Sequence, residues 1–406
     1  MSVTEKGKSP FYPGQPVPTE LFVGRASQID QIMSKGVGQV VNGKPVAIYV
    51  QGDYGIGKSS IAAAVRLIAE RDRGLHGINV LLGGAESLDE VGEAVLRATV
   101  QSGAFDPKRS EKIRELLAKY IGEQSLFGIT LRVDALKRDA PTVASASNLL
   151  SFLDQAFGRL KETGVKGIFL VLDEINGIAS NPKFSHFIKT LVDSNALRPT
   201  PLPLLLMLCG VEDRRREMIR HHQPIERVFE IVDIKGMSEG EMHEFFLKAF
   251  NSVHVTIEPK AMATMKKYSA GFPKIMHLVG DAAFWLDRDS VIDEDDAEKA
   301  VIQAADDVGK KYVDQQVYKA LRSKDYHSIL GKIAKTGPHD MVFRKQEIAE
   351  GLTSAERKKF DNFLQKMKKL QVIRQGDIRG EYAFNLPMVR LYISLDRIRK
   401  DNKRAG

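Results

Sequence analysis

With 406 residues, 43% of them apolar, the chain is long enough for two or three domains with substantial cores. A single cysteine, Cys209, excludes a disulfide framework and a cysteine-based metal cluster, and fits a reducing cytosol. The net charge of +8 is uneven: residues 311–406 hold 22 Lys and Arg against 11 Asp and Glu, so a polyanionic partner is expected for the last quarter.

Residues 1–20, rich in Pro and Gly, read as an extended segment without the apolar stretch of a secretory signal. The longest apolar run, "PLPLLLMLCGV" at 201–211, contains two prolines and falls short of the roughly 18 residues that cross a membrane. A soluble, cytoplasmic protein is expected. "LFVGRASQIDQIMSKGV" then reads as a short turn leading into a helix.

The first chemistry lies at 45–60. "PVAIYV" reads as a buried strand and "SSIAAAVRLIAE" as a helix, and between them runs "QGDYGIGKSS". Gly52, Gly57, Lys58 and Ser59 match the phosphate-loop spacing G-x-x-x-x-G-K-[ST]. Glycines let consecutive backbone N–H groups turn inward onto phosphate oxygens, and the following helix offers its N-terminal dipole. The expected nucleotide loop comprises Gly52, Asp53, Tyr54, Gly55, Ile56, Gly57, Lys58, Ser59 and Ser60. Lys58 would reach the β- and γ-phosphates of ATP, and the Ser59 hydroxyl would hold Mg²⁺.

"GINVLLGGA" (77–85) reads as a second strand. Residues 87–163 are mostly helical in pattern, with a strand-like interruption at "LFGITLRV" (126–133), too long for a simple crossover and so an insertion. "GIFLVLDEI" (167–175), "PLLLMLCG" (203–210) and "RVFEIVDI" (227–234) follow as strands three to five. Continuous apolar strands alternating with helices predict a parallel α/β sheet over 21–236. At the end of the third strand, Asp173 is placed to hold Mg²⁺ and Glu174 to orient and deprotonate the attacking water.

From Ser238 strands are expected to stop. "SEGE" (238–241) is a capping box opening a small helical domain over 237–322. Residues 323–406 read as three helices (326–335, 343–352, 354–370) and a hairpin over 371–386, the pattern of a winged helix-turn-helix. In the third helix Phe360, Phe363, Leu364, Met367 and Leu370 form one apolar stripe. Lys358, Asn362, Gln365 and Lys369 then face away, residue types that read bases and phosphates of double-stranded DNA. Arg357, Arg374 and Arg379 add charge at the helix start and the hairpin. The nine histidines are scattered, and no zinc spacing or nucleophile triad is arguable.

"LFVGR", "GDYGIGKSS", "FLVLDE", a Pro-flanked apolar strand, "GFPKI" and the C-terminal pattern together resemble an AAA+ ATPase over about 20–400. Within that class the chain is similar to the replication-initiator, origin-recognition branch and to the STAND-like and transposition-regulator ATPases of prokaryotes. The resemblance implies that Val23, Gly24 and Arg25 pack against the adenine. It implies an arginine finger for a neighbouring subunit's γ-phosphate at Arg227, with Arg220 as the alternative. Lys274 falls where the family carries a lid-helix arginine, and a lysine is a point charge rather than a fork. Cys209-Gly210 stand where the family often has a polar sensor. The implied function is an ATP-dependent switch that self-associates through its ATP sites, hydrolyses ATP slowly and grips DNA. The alternatives are a signalling or antiviral-defence ATPase controlling a separate effector protein, or a transposition regulator working with a recombinase.

Overall fold

The computed structural model describes residues 6–14, 22–102, 106–117, 143–334, 342–376 and 378–405. Contacts divide the chain into two compact units, Pro18–Lys235 and a discontinuous one of Met1–Val17 with Gly236–Gly406.

The first unit is built on a five-stranded parallel sheet: β1 (Val46–Gly52), β2 (Leu75–Leu81), β3 (Gly167–Asp173), β4 (Leu204–Gly210) and β5 (Glu230–Ile234), in the order β2-β3-β4-β1-β5. Every residue of β3 and β4 is buried. This explains why their sequences are unbroken apolar runs: helices cover both faces, so no position alternates to solvent. The expected parallel α/β class is therefore the observed one. Because β4 lies between β1 and β3, the loop after β1 and the acidic end of β3 flank the end of β4. The region after β2 is helical where described, at Leu88–Gln101, Pro107–Leu117 and Ala146–Leu160. Two of these helices start on serine caps, Ser87 and Ser145, whose hydroxyls accept from Glu90 N–H and Asn148 N–H. The strand expected at 126–133 lies outside the described residues.

In the second unit, the Ser238–Glu241 capping box opens helix Glu239–Asn251 as its sequence dictates. Helices Pro259–Ser269, Pro273–Leu286 and Glu294–Val308 follow. Strands do not stop at Ser238: β6 (Thr256–Ile257) and β7 (Val291–Ile292) pair in parallel, too short to show any period in sequence. Helix Lys324–Ile333 leads to a three-stranded antiparallel sheet of β8 (Val342–Arg344), β9 (Ile373–Gln375) and β10 (Glu381–Phe384), ordered β8-β10-β9. Two helices lie between β8 and β9, Lys345–Glu350 and Ser354–Lys369. The stretch at 343–352 therefore begins as strand, with Arg344 opposite Glu381, rather than being helical throughout. An unforeseen helix, Pro387–Ala405, closes the chain. It is tied back by Arg399 to Asp306, Tyr392 to Asp314 and Asp396 to Tyr318. No helix among the described residues is long and apolar enough to cross a membrane.

The segment 6–14 belongs to this second unit and runs along one face of helix Pro273–Leu286. Lys6 pairs with Asp287, the Ser9 hydroxyl donates to Asp281, and Tyr12 N–H donates to His277 Nδ1. His277 and Asp281 lie one turn apart on the helix and Asp287 stands at its C-cap, so the strap descends the helix antiparallel to it. Phe11, 4% exposed, sits among Phe245, Phe246 and Phe250. Gly280 makes room for it: a Cβ there would come within 2.2 Å of the Phe11 ring.

Among the described residues, each unit buries one neutral histidine. His76 shares a hydrogen bond of 2.9 Å with Ser102 Oγ, and His277 accepts from Tyr12. Burial pushes both from the ordinary 6.5 to about 4. The unfolded chain would bind these protons near 6.5. The stability they contribute is thus full above that pH and is lost as pH falls toward 4. At ~1.4 kcal/mol per unit of depression, the melting temperature is expected to fall steeply between pH 6.5 and 4.5. In calorimetry His277→Gln should flatten the part of that fall belonging to the second unit; an unchanged profile would show that His277 does not carry it.

Candidate nucleotide-binding site

The loop after β1 is shaped by its glycines. Gly55 and Gly57 have φ of 75° and 103°, left-handed values that a side chain would strain. At Gly52 a Cβ would lie 2.5 Å from the Ile234 carbonyl, so the loop leaves the sheet in close backbone contact with β5. Lys58 begins helix Lys58–Arg73 and folds over its own loop. Its Nζ donates to the Gly52 carbonyl at 2.9 Å and the Asp53 carbonyl at 2.8 Å. Burial lowers the Lys58 pKa, while nearby acidic groups, including Asp173, Asp53 and Glu174, act against that. Asp53, Tyr54, Gly55 and Ser59 are exposed, Ser60 is half-buried and Ile56 anchors the loop inward.

Across β4, Asp173 is 3% exposed, and its Oδ1 accepts the Glu174 N–H at 2.8 Å. Glu174 is solvent-exposed and has φ of 57°, a left-handed conformation that costs a non-glycine residue about 1 kcal/mol or more. Its carboxylate is turned toward the segment after β2: a Cβ on Gly83 would fall 2.4 Å from Glu174 Oε2. Between the two, Cys209 is fully buried, and burial, reinforced by the Asp173 charge, holds its thiol well above the ordinary range. The polar group at the end of β4 comes instead from Asn176, whose Oδ1 accepts the Val211 N–H at 3.1 Å.

No protein-family model matches the sequence, and no curated protein matches it. Solved structures do. A Walker-type ATPase of Pyrococcus abyssi superposes with a TM-score of 0.63 at 16% identity, over 95% of this chain and 99% of that one. The ORC2 protein of Aeropyrum pernix, solved with ADPNP and ADP, gives 0.60 at 13% identity over 98% of each chain. The fold is that of an AAA+ P-loop ATPase. At these identities the likeness is one of fold, and the site stands on its own residues.

Within the AAA+ fold, the structure brings Lys58, Asp173 and Glu174 to one end of the sheet. Val23 is buried and Gly24 has a left-handed φ. Arg25 is turned inward, 5% exposed, its guanidinium donating to the Ile56 carbonyl of the loop at 3.1 Å and to the Lys235 carbonyl. It thus braces the phosphate loop against the end of β5. Arg227 ends the short turn Gln223–Arg227 and Arg220 ends helix Glu212–His221; both are exposed. Lys274, exposed, lies in the first turn of helix Pro273–Leu286 in the second unit.

The side chains predicted to meet nucleic acid, Arg357, Lys358, Asn362, Gln365, Lys369, Arg374 and Arg379, are all exposed. Phe360, Phe363, Leu364 and Met367 are buried on the opposite side of helix Ser354–Lys369, as its phase requires. Arg357 is partly engaged, donating to the Ala349 carbonyl at 2.9 Å. Asn176, Gly83 and the bracing role of Arg25 escape sequence reasoning, since each acts through a contact with a residue remote in the chain.

Proposed function

We propose that the protein binds and hydrolyses ATP with Mg²⁺ and works as an assembly-dependent switch. The observation that carries this reading is the meeting of the glycine-shaped loop and Lys58 with the Asp173–Glu174 pair, on either side of β4. The residues suit the ligand: a loop of left-handed glycines, a lysine now satisfied by loop carbonyls, and a buried carboxylate with one oxygen committed to a backbone N–H. Loop N–H groups and Lys58 bind the phosphates. Ser59 and Asp173 would hold Mg²⁺, which offsets phosphate charge. Glu174 orients the attacking water and takes its proton. Val23, Gly24 and Arg25 frame the loop on the adenine side. Arg227, or Arg220, supplies positive charge to a neighbouring copy's γ-phosphate.

Glu174→Gln should keep ATP affinity and reduce turnover at least a hundredfold, because the amide positions water but cannot accept its proton. Calorimetry with a phosphate-release assay checks this, and undiminished turnover would remove Glu174 from the chemistry. Gly83→Ala is the companion change. The new methyl displaces the Glu174 carboxylate, and a misplacement on the order of 1 Å can cost up to a hundredfold in rate. A fall in turnover of about tenfold or more, with ATP affinity held, is the expected result.

A DNA-binding role for 323–406, read as a winged helix, is favoured by one specific observation. The polar residues Lys358, Asn362, Gln365 and Lys369 share the exposed side of a helix whose other side is buried, with Arg374 and Arg379 on the adjoining hairpin. The competing signalling ATPase, docked to a separate effector, would use the same module as a protein-docking surface, whereas a transposition regulator with its recombinase would form ATP-dependent filaments on DNA.

A further inference from the structure

Gln51 lies on β1, one residue before Gly52, and is 7% exposed. Its in-register neighbours are Gly210 on β4, which has no side chain, and Asp233 on β5. Both ends of its amide are taken by charged partners. Arg215 Nε donates to Gln51 Oε1 at 2.8 Å, and Gln51 Nε2 donates to Asp233 Oδ1. A guanidinium only donates and a carboxylate only accepts, so the amide has a single orientation. Charge assists the bond at each end.

Arg215 belongs to helix Glu212–His221, which follows β4 and leads into the turn ending at Arg227. One polar chain thus joins three segments: the end of β5, the residue that launches the phosphate loop, and the helix carrying the arginines offered to solvent. Burial alone would be met by an apolar residue at 51, as it is by Ile48 and Val50 on the same strand. A glutamine there is explained by what it connects.

We propose that Gln51 and Arg215 are positioning residues of the nucleotide site: they transmit the position of helix Glu212–His221, and with it the Arg227 turn, to the first glycine of the phosphate loop. The proposal rests on the ATPase reading above. Contact of a neighbouring copy with the helix would be felt by the loop, and filling of the loop would be felt by the helix.

The test uses the full chain as Gln51→Leu, Arg215→Gln, the double variant and Arg215→Lys, with amide hydrogen exchange in the absence of nucleotide. Arg215 bonds to Gln51, on the strand side of the phosphate loop. Arg215→Gln is expected to raise exchange across 52–58 about fivefold or more. Gln51→Leu should do the same, and the double variant should exceed neither, because both cut one chain. Arg215→Lys, which keeps a charged donor, should return exchange to within about twofold of the parent. In the same proteins turnover should fall about tenfold or more while ATP affinity changes less than about threefold. Parent-like exchange in Arg215→Gln, or single effects that multiply in the double variant, would overturn the proposal. The exchange readout needs no hydrolysis. A parent that failed to bind ATP would sink the ATPase reading, whereas loop exchange unmoved in an active parent would sink the coupling alone.

Discussion

Lys58→Ala is expected to weaken ATP binding by about a hundredfold or more, roughly 2.7 kcal/mol. The ammonium now satisfies two loop carbonyls, Gly52 and Asp53, so it already stands inside the curl of backbone that a triphosphate would enter. Exchanging these neutral acceptors for phosphate oxygens sets the ammonium against anionic partners, and hydrogen bonds to charged groups are worth about 1.5–3 kcal/mol each. Alanine forfeits them and leaves the anion facing backbone N–H groups alone. Fold stability should change less than ATP affinity, because Lys58 is only half-buried. Calorimetric titration with ATP, beside a melting curve, separates the two effects. ATP affinity equal to the parent's in a folded Lys58→Ala protein would place the nucleotide elsewhere.

Reversing two charges at the other end of the chain, Lys358→Glu with Arg379→Glu, should abolish duplex DNA binding and leave ATP affinity unchanged. Both residues are exposed, one on helix Ser354–Lys369 and one on the turn before β10. Each neutralised phosphate contributes a slope of about −0.9 in log affinity against log salt, so engagement of Lys358, Lys369, Arg374 and Arg379 gives roughly −3 to −4. Asn362→Ala should reduce sequence preference and keep most of that slope, since base contacts specify while phosphate contacts position. Fluorescence anisotropy with a labelled duplex at several salt concentrations measures both quantities. Weak, unsaturable binding in the parent, or unchanged affinity in the double reversal, would move the module from DNA to a protein partner.

The parts legible in the sequence are those encoded locally. The phosphate loop needs glycines and a lysine at fixed spacing. The buried strands need apolar runs, and the Ser238–Glu241 box names its own helix start. What was hidden depends on distance along the chain. Arg25 reads as a turn residue, and only the approach of Ile56 and Lys235 makes it a brace. The left-handed backbone of Glu174 has no signature, because residue type does not demand it; its surroundings do. Phe11 lies in a Pro-rich stretch without period, and its partners are more than 230 residues away. Helix Pro387–Ala405 lies beyond the three helices and hairpin that the sequence pattern of 326–386 defines.

The strap of residues 6–14 has a consequence for synthesis. Lys6 and its partner Asp287 are 281 positions apart, and the whole of Pro18–Lys235 is made between them. At about 5–20 residues per second, Phe11 leaves the ribosome on the order of tens of seconds before Gly280 and the Phe245–Phe250 helix exist to receive it. Through that interval the sheet unit can complete its own core from residues already made. The helical unit cannot, because the first strip of its surface was translated first and its groove last. Closing so long a loop adds only about 3 kcal/mol over closing one of ten residues, so the late step costs time rather than stability. The nascent chain therefore carries Phe11 unburied while the sheet unit matures, and the docking of segment 6–14 waits for the helices it packs on to be made.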